Sequence, residues 1–493
     1  MTSFSSQALS TKTTNTINGT APYFTTDGGQ TRITDAEGLL EISLSNGDKY
    51  TPLSNDSSPT KPIVLPIAGQ SFADIGMLVP TDSDSIELNS LIGDHYWGDS
   101  DGDGEGPNGI TATGGLSLSI VDNDNQAVSR DTIPKICNAP YKVTLTSTDG
   151  TLETNYGVPK SSHFAASNVT YYISPKASPI ACFAKPNMKY SDIEDGQDFK
   201  GLANEWDPKN GFIPQSYDPS SYNQNFPTTG ANGLYFDLKI GGVNQKLTWT
   251  TVSHGEIKVT MRYLNESDTS VVRVTLKGPT ASQDQIRASE DQIMAEANLI
   301  GTVEKPTLPQ VFELVGKGKD SNDNDVVVKY GFELKQWFVN RGDKQRLDKY
   351  PSDAPNPNDQ DNKDNKPGSE APYMQEKWCE KIGYSLSKIK DLTNAKGAEC
   401  PFVDAESCEA QNLEGASIGN YYQRKIAGGL LSEWGVLGKY EMDEGNFDPN
   451  NGYWTSDMSS KGINVYYLVS HLIGKIYGYS NTNFKRTAIC TTN

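Results

Sequence analysis

Nowhere does this chain of 493 residues hold an apolar run near the roughly 20 residues that cross a bilayer, so membrane insertion through a helix is not expected. Basic residues are outnumbered, 43 Lys and Arg against 62 Asp and Glu, for a formal net charge of -19. That balance removes the footing for a sequence-independent grip on phosphate backbones, and nucleic acid is not an expected partner. Cysteines number only six and none forms a C-x-x-C pair, which argues against zinc-ribbon and thioredoxin-type chemistry. There is no H-E-x-x-H and no phosphate loop. The G-x-S-x-G match at Gly415–Gly419 has no buried strand before it, and of the four histidines only His471 follows it. Catalysis is therefore not expected, and no cofactor is required. Residues 1–26 lack the basic start and apolar core of a secretory signal; residues 1–25 read as a flexible, hydroxyl-rich arm.

The chain is rich in Gly (45), Pro (27) and Tyr (24), and its polar positions are mostly Thr, Ser, Asn and Asp. Such a composition favours short strands and tight turns, and the length points to about three domains. A first β-sandwich-like domain is expected over residues 26–182. Its clearest strand is Leu116–Val121, where apolar and hydroxyl residues alternate with period two, and Tyr141–Thr146 and Val169–Ile173 repeat the pattern. A second β domain is expected over 183–305, with strands at 233–240, 245–250, 257–261 and 270–276. The spacing of Ile286, Ile293, Ala297 and Ile300 predicts a helix over 283–300.

A third domain is expected over 306–493. It opens with a hairpin-like pair, 311–315 and 326–334. Residues 351–370 are almost entirely turn formers and charge, a long polar loop or a linker. Trp378, Ile382, Leu386 and Ile389 predict a helix over 373–394, weakened by Gly383, and strands return over 428–493. Six cysteines allow fifteen pairings. The pairing that keeps each bond inside one expected domain joins Cys137 to Cys182, Cys379 to Cys490, and Cys400 to Cys408, the alternative being reduced thiols in a cytosolic protein.

The C-terminal order Trp378-Cys379, Gly383-Tyr384, Leu392-Thr393-Asn394, Ser432-Glu433-Trp434-Gly435, Tyr453-Trp454-Thr455-Ser456, Tyr466-Tyr467 and Cys490 resembles a bacterial C-type-lectin-like domain. Upstream, the run from Asp99 to Gly104 with its following Thr/Ser-rich strand, and Ile136–Leu145 beyond, resemble the adhesion domain of enterobacterial invasin- and intimin-like proteins. Together these resemblances imply a mainly β, multi-domain chain in which β-sandwich-like N-terminal domains precede an α+β C-type-lectin-like domain. They also imply a bacterial cell-surface or secreted adhesin that meets a host glycan or protein receptor through its C-terminal domain. Two other functional classes are a lectin or receptor-binding component of a secreted toxin or effector, and a glycan-active hydrolase with a lectin-like accessory domain.

The stretch 440–454 is dense in oxygen ligands and aromatic rings where the lectin-like pattern carries its variable loops. The candidate ligand-binding residues are Trp434, Tyr440, Glu441, Asp443 and Glu444, followed by Asn446, Asp448, Asn450, Asn451 and Tyr453. Asp99, Asp101 and Asp103 have the D-x-D-x-D-G spacing that sets three carboxylates around a structural Ca2+, although Ile110 stands where a bidentate Glu would complete such a loop. Arg341-Gly342-Asp343 is an integrin-type tripeptide that doubles as a turn after a strand.

Overall fold

A computed structural model describes residues 19–25, 28–93, 96–100, 109–155, 157–188, 201–243, 245–265, 268–319, 323–342, 372–395, 408–409, 421–440, 447, 452–458, 465–479 and 487–492. The protein is mainly β and multi-domain. It divides into two units, residues 1–178 and 179–493.

The first unit is built on alternation. In the strand Gly115–Val121, Leu116, Leu118 and Ile120 are buried while Ser117 and Ser119 face water. This strand sits in a five-stranded sheet beside Tyr141–Ser147, which pairs in turn with Ser167–Ser174; both pairs are antiparallel. Ile63–Val64 closes one edge in parallel with Ser167–Ser174, and Ser85–Glu87 closes the other. A three-stranded sheet of Thr111–Thr113, Gly150–Glu153 and Ser161–Phe164 contributes Ala112, Leu152 and Phe164 to the same core. The buried Tyr171 ties this core together, its hydroxyl donating to the carbonyls of Leu40 (2.7 Å) and Tyr50 (3.1 Å). Of the expected arm, residues 1–18 lie outside the described residues. Its end is structured: Tyr23–Phe24 pairs with Trp97–Gly98, and Phe24 is fully buried.

The second unit corrects the expected boundary at 305/306. Residues on both sides of it share one hydrophobic core that runs from Ala181 to Cys490. The physical reason is long-range pairing: Thr229–Ala231 lies parallel to Gln336–Asn340, with Gly230 opposite Trp337. A seven-stranded sheet centred on Tyr235–Gly241 and Val271–Lys277 holds three of the four strands expected for the second domain, whereas the one expected over 245–250 is the short Thr248–Trp249, which pairs with Gln310–Lys319 in another sheet. The hairpin appears as Gln310–Lys319 against Asp325–Leu334, in unbroken antiparallel register from Gln310↔Leu334 to Lys319↔Asp325. The last sheet includes Gln336–Asn340, Thr487–Thr491, Tyr453–Met458, Tyr466–Val469 and Ile476–Tyr479.

Two expected helices are shorter than their periodicity suggests. Over 283–300 the chain forms Gln283–Arg287 and Glu290–Met294, each opened by a capping box, Ser282 with Gln285 and Ser289 with Gln292. The second box restarts the helix, so Ile286 and Ile293 reach the core from separate turns. Over 373–394 the helix Pro372–Lys381 stops before Gly383, whose φ of +89° is left-handed backbone that favours glycine. The chain then makes the short strand Ser385–Leu386 and a helical turn, Ile389–Leu392.

Cys379, on Pro372–Lys381, is bonded to Cys490, on Thr487–Thr491, as the sequence led us to expect; both are fully buried. Cys137 and Cys182 are also disulfide-bonded. Cys182 stands on the strand Ile180–Lys185 of the second unit, so the expected end of the first domain at residue 182 moves to 178. Cys400 lies outside the described residues, and the expected Cys400–Cys408 pairing lies outside them with it. The segment 351–370 does so too.

Candidate functional site

The candidate ligand-binding region begins at the helix Leu430–Trp434, all five residues of which are buried. This helix is short and wholly apolar except for Ser432 and Glu433, so its placement depends on what those two polar groups meet. Ser432 Oγ donates to Asn394 Oδ1 at 2.8 Å. The Glu433 carboxylate accepts from the backbone N–H groups of Thr228 (3.0 Å), Thr229 (2.9 Å) and Ala427 (2.9 Å). It also accepts from the hydroxyls of Thr228 (2.8 Å) and Thr229 (2.6 Å). Burial pushes this carboxyl above the usual carboxylate range, and the converging donors oppose that rise. With no exposed surface, Glu433 has no access to an external substrate and acts as a fastener between the C-terminal helix and the Thr229–Ala231 strand.

Arg424 is the matching buried cation. Its guanidinium donates to the Glu433 carbonyl at 3.2 Å and to the Asn187 carbonyl, and it lies 4.9 Å from the ring centre of Trp206 and 5.5 Å from that of Tyr422. Gly435 makes room for it: at φ +72°, a Cβ there would come within 2.4 Å of Arg424 Nη2. The guanidinium therefore finds carbonyl acceptors and aromatic faces in place of water.

Three of the expected ligand contacts are corrected by this arrangement. Trp434, Tyr440 and Tyr453 are 0, 2 and 0% exposed. Trp434 Nε1 donates to the Thr229 carbonyl at 3.0 Å, and its ring lies against Phe226 at a centroid distance of 4.9 Å. The Tyr440 hydroxyl donates to the Trp434 carbonyl at 2.7 Å and accepts from the Asn187 N–H at 3.1 Å; burial drives its pKa well up. Tyr453 pairs with Val469 inside the last sheet. These rings hold the core, and none has surface to offer a ligand.

The other candidates, Glu441, Asp443, Glu444, Asn446, Asp448, Asn450 and Asn451, lie outside the described residues. Phe447, in their midst, is described and is 2% exposed. The stretch is thus bracketed by buried Tyr440 and Tyr453 and has a third buried ring within it.

Asp99 accepts a hydrogen bond from the Thr20 hydroxyl at 3.5 Å, whereas Asp101 and Asp103 lie outside the described residues. Among the described residues, no three His, Cys, Asp or Glu side chains come together as metal ligands would. The integrin-type tripeptide is not displayed at its first residue. Arg341 is 3% exposed, donates to Gln375 Oε1 at 2.9 Å and lies 5.3 Å from the Trp378 ring centre. Asp343 and the Gly415–Gly419 segment lie outside the described residues. No helix among the described residues is long and apolar enough to cross a membrane.

Sequence reasoning missed Glu433 as a partner of Thr228 and Thr229. The local signal was present, since an acid inside the apolar pentad Leu430–Trp434 is costly unless paired. Its partners, 205 and 204 residues away, carried no matching signal.

No protein-family model matches the chain, and no curated protein matches it significantly. Among solved structures it is similar to invasin, a bacterial integrin-binding protein, at 13% identity and a TM-score of 0.31, over 78% of this chain and 50% of that one. It is also similar to SGBP-B of the Bacteroides ovatus mixed-linkage glucan utilization locus, in complex with a mixed-linkage heptasaccharide. That match has 12% identity and a TM-score of 0.12, over 46% of this chain and 37% of that one. The chain thus spans half or less of either structure's length.

Proposed function

We propose that this chain is a bacterial cell-surface or secreted adhesin that binds a host glycan or protein receptor through its C-terminal unit and catalyses nothing. The observation that carries this reading is the bracketing of the oxygen-rich stretch 441–451 by Tyr440 and Tyr453, with Phe447 inside it, all three buried in one core. A polar recognition segment held at its ends by a rigid scaffold loses less conformational entropy on binding than a free one. The contacts are assigned to Glu441, Asp443, Glu444, Asn446, Asp448, Asn450 and Asn451, with the aromatic residues serving as posts. The bonded cysteines support an oxidising compartment, and thus an extracellular or surface location. The proposal includes a structural calcium at Asp99, Asp101 and Asp103, whose removal by a chelator should lower the unfolding midpoint of the first unit.

The test is binding of the full chain to a glycan array and, in parallel, to host cells before and after protease treatment. Selective sugar binding supports a glycan ligand, and cell binding lost on proteolysis supports a protein receptor. Failure to bind host cells would overturn the proposal, whatever glycans the array shows.

A further inference from the structure

A concavity of the C-terminal unit, apart from the 440–454 stretch, has the chemistry of a site. It is a cavity of about 500 Å³, formed where the start of strand Gln336–Asn340, helix Pro372–Lys381, strand Ser385–Leu386 and the turn Ile389–Leu392 converge. That volume falls within the range of about 300–1,000 Å³ that takes small-molecule ligands. Its lining is polar except for Leu386, which is itself only 4% exposed. A ligand here must hydrogen-bond over nearly its whole surface.

The charges in the lining narrow the class. Three lysines, Lys335, Lys388 and Lys390, stand exposed around the cavity of a protein whose net charge is -19. The lining acids are largely engaged within the protein. Glu380 is held by Lys377 at 2.6 Å, and the buried Asp391 accepts from Gln336 Nε2 at 3.0 Å and from the Lys388 N–H at 2.8 Å. Glu376, exposed on the helix, is the remaining acid. Ser385 and Ser456 add hydroxyls, which both donate and accept.

A polyphosphate offers acceptors alone and would be set against Glu376. A polyol offers donors to that acid and acceptors to the serines, and one carboxylate on it would answer the lysines as point charges. Among the described residues, no aromatic side chain lines the cavity on which a nucleobase would stack.

We propose that this cavity binds a saccharide bearing a carboxylate, of the uronic- or sialic-acid type, with Lys388 and Lys390 as the cationic contacts to that carboxylate. The inference deepens the adhesin reading, on which it rests for the source of the ligand, and adds a site distinct from residues 441–451.

The experiment measures affinity of the full chain for sialyllactose and for oligogalacturonate, with lactose as the neutral control. The variants are Lys388→Ala/Lys390→Ala and, on a remote strand, Lys258→Ala. An acidic saccharide should bind in preference to lactose, lose at least ten-fold in affinity in the double variant, keep it in Lys258→Ala, and weaken with added salt. Equal binding of lactose, unchanged affinity in the double variant, or no binding of either acidic saccharide would overturn the assignment. Host-cell binding measured on the same proteins separates the two claims. Cells bound without any acidic saccharide sinks this site and leaves the adhesin, whereas saccharide bound without any cells does the reverse.

Discussion

The Glu433 carboxylate and Thr228 meet across 205 residues of chain, with the Thr228 backbone N–H donating at 3.0 Å and its hydroxyl at 2.8 Å. This contact joins the helix before the candidate recognition stretch to a strand from the half of the unit that the sequence assigned to another domain. It is the polar counterpart of the shared hydrophobic core, and it makes residues 179–493 one unit in practice.

Glu433→Gln should therefore destabilise the second unit by about 2–3 kcal/mol, because the new amide N–H₂ confronts donors where an acceptor stood. The pH dependence has a defined sign. Burial raises the folded-state pKa, so between the ordinary Glu value of about 4.3 and the raised one the folded state holds more protons than the unfolded. Stability from this group is fully present below that window and declines as pH rises through it. Denaturant midpoints taken from pH 4 upward should fall more steeply in the parent than in the variant, which does not titrate; parallel slopes would refute the linkage.

Trp434→Ala should cost about 3–5 kcal/mol, since it empties a fully buried site and leaves the Thr229 carbonyl without its indole donor. Trp434→Phe should lower the thermal midpoint while the folded fraction keeps its receptor affinity. A Trp434→Phe protein with an unchanged midpoint and lost binding would restore this residue to the ligand surface.

The Cys379–Cys490 bond closes a separation of 111 residues. Its replacement by two alanines should reduce unfolding free energy by about 3–5 kcal/mol, measured by denaturant titration against the parent. A loss under about 1 kcal/mol would mean that the core alone holds the helix against the last strand.

What could be read in advance was local. The alternation in Leu116–Val121 produced a half-buried strand, and Gln310–Leu334 produced a hairpin, because both patterns are complete within a few residues of themselves. The unity of the second core escaped detection, since Thr229–Ala231 and Gln336–Asn340 pair at a distance no periodicity reports. The helix over 283–300 was misread because Ile286 and Ile293 fit one long helix as well as two short ones, although the Ser289–Gln292 box marks the restart. Trp434, Tyr440 and Tyr453 were misplaced for a chemical reason. A cluster of aromatic residues is the signature of a binding hot spot and of a core alike, and only burial tells them apart.

The central claim is that residues 441–451 meet the receptor while the aromatic residues around them hold the frame. The most direct measurement is host-cell binding by the full chain carrying Glu441→Ala, Asp443→Ala, Glu444→Ala and Asp448→Ala together, with the unfolding midpoint recorded on the same sample. The account predicts at least a ten-fold loss of binding at an unchanged midpoint. Binding equal to the parent's, from a protein just as stable, would contradict it.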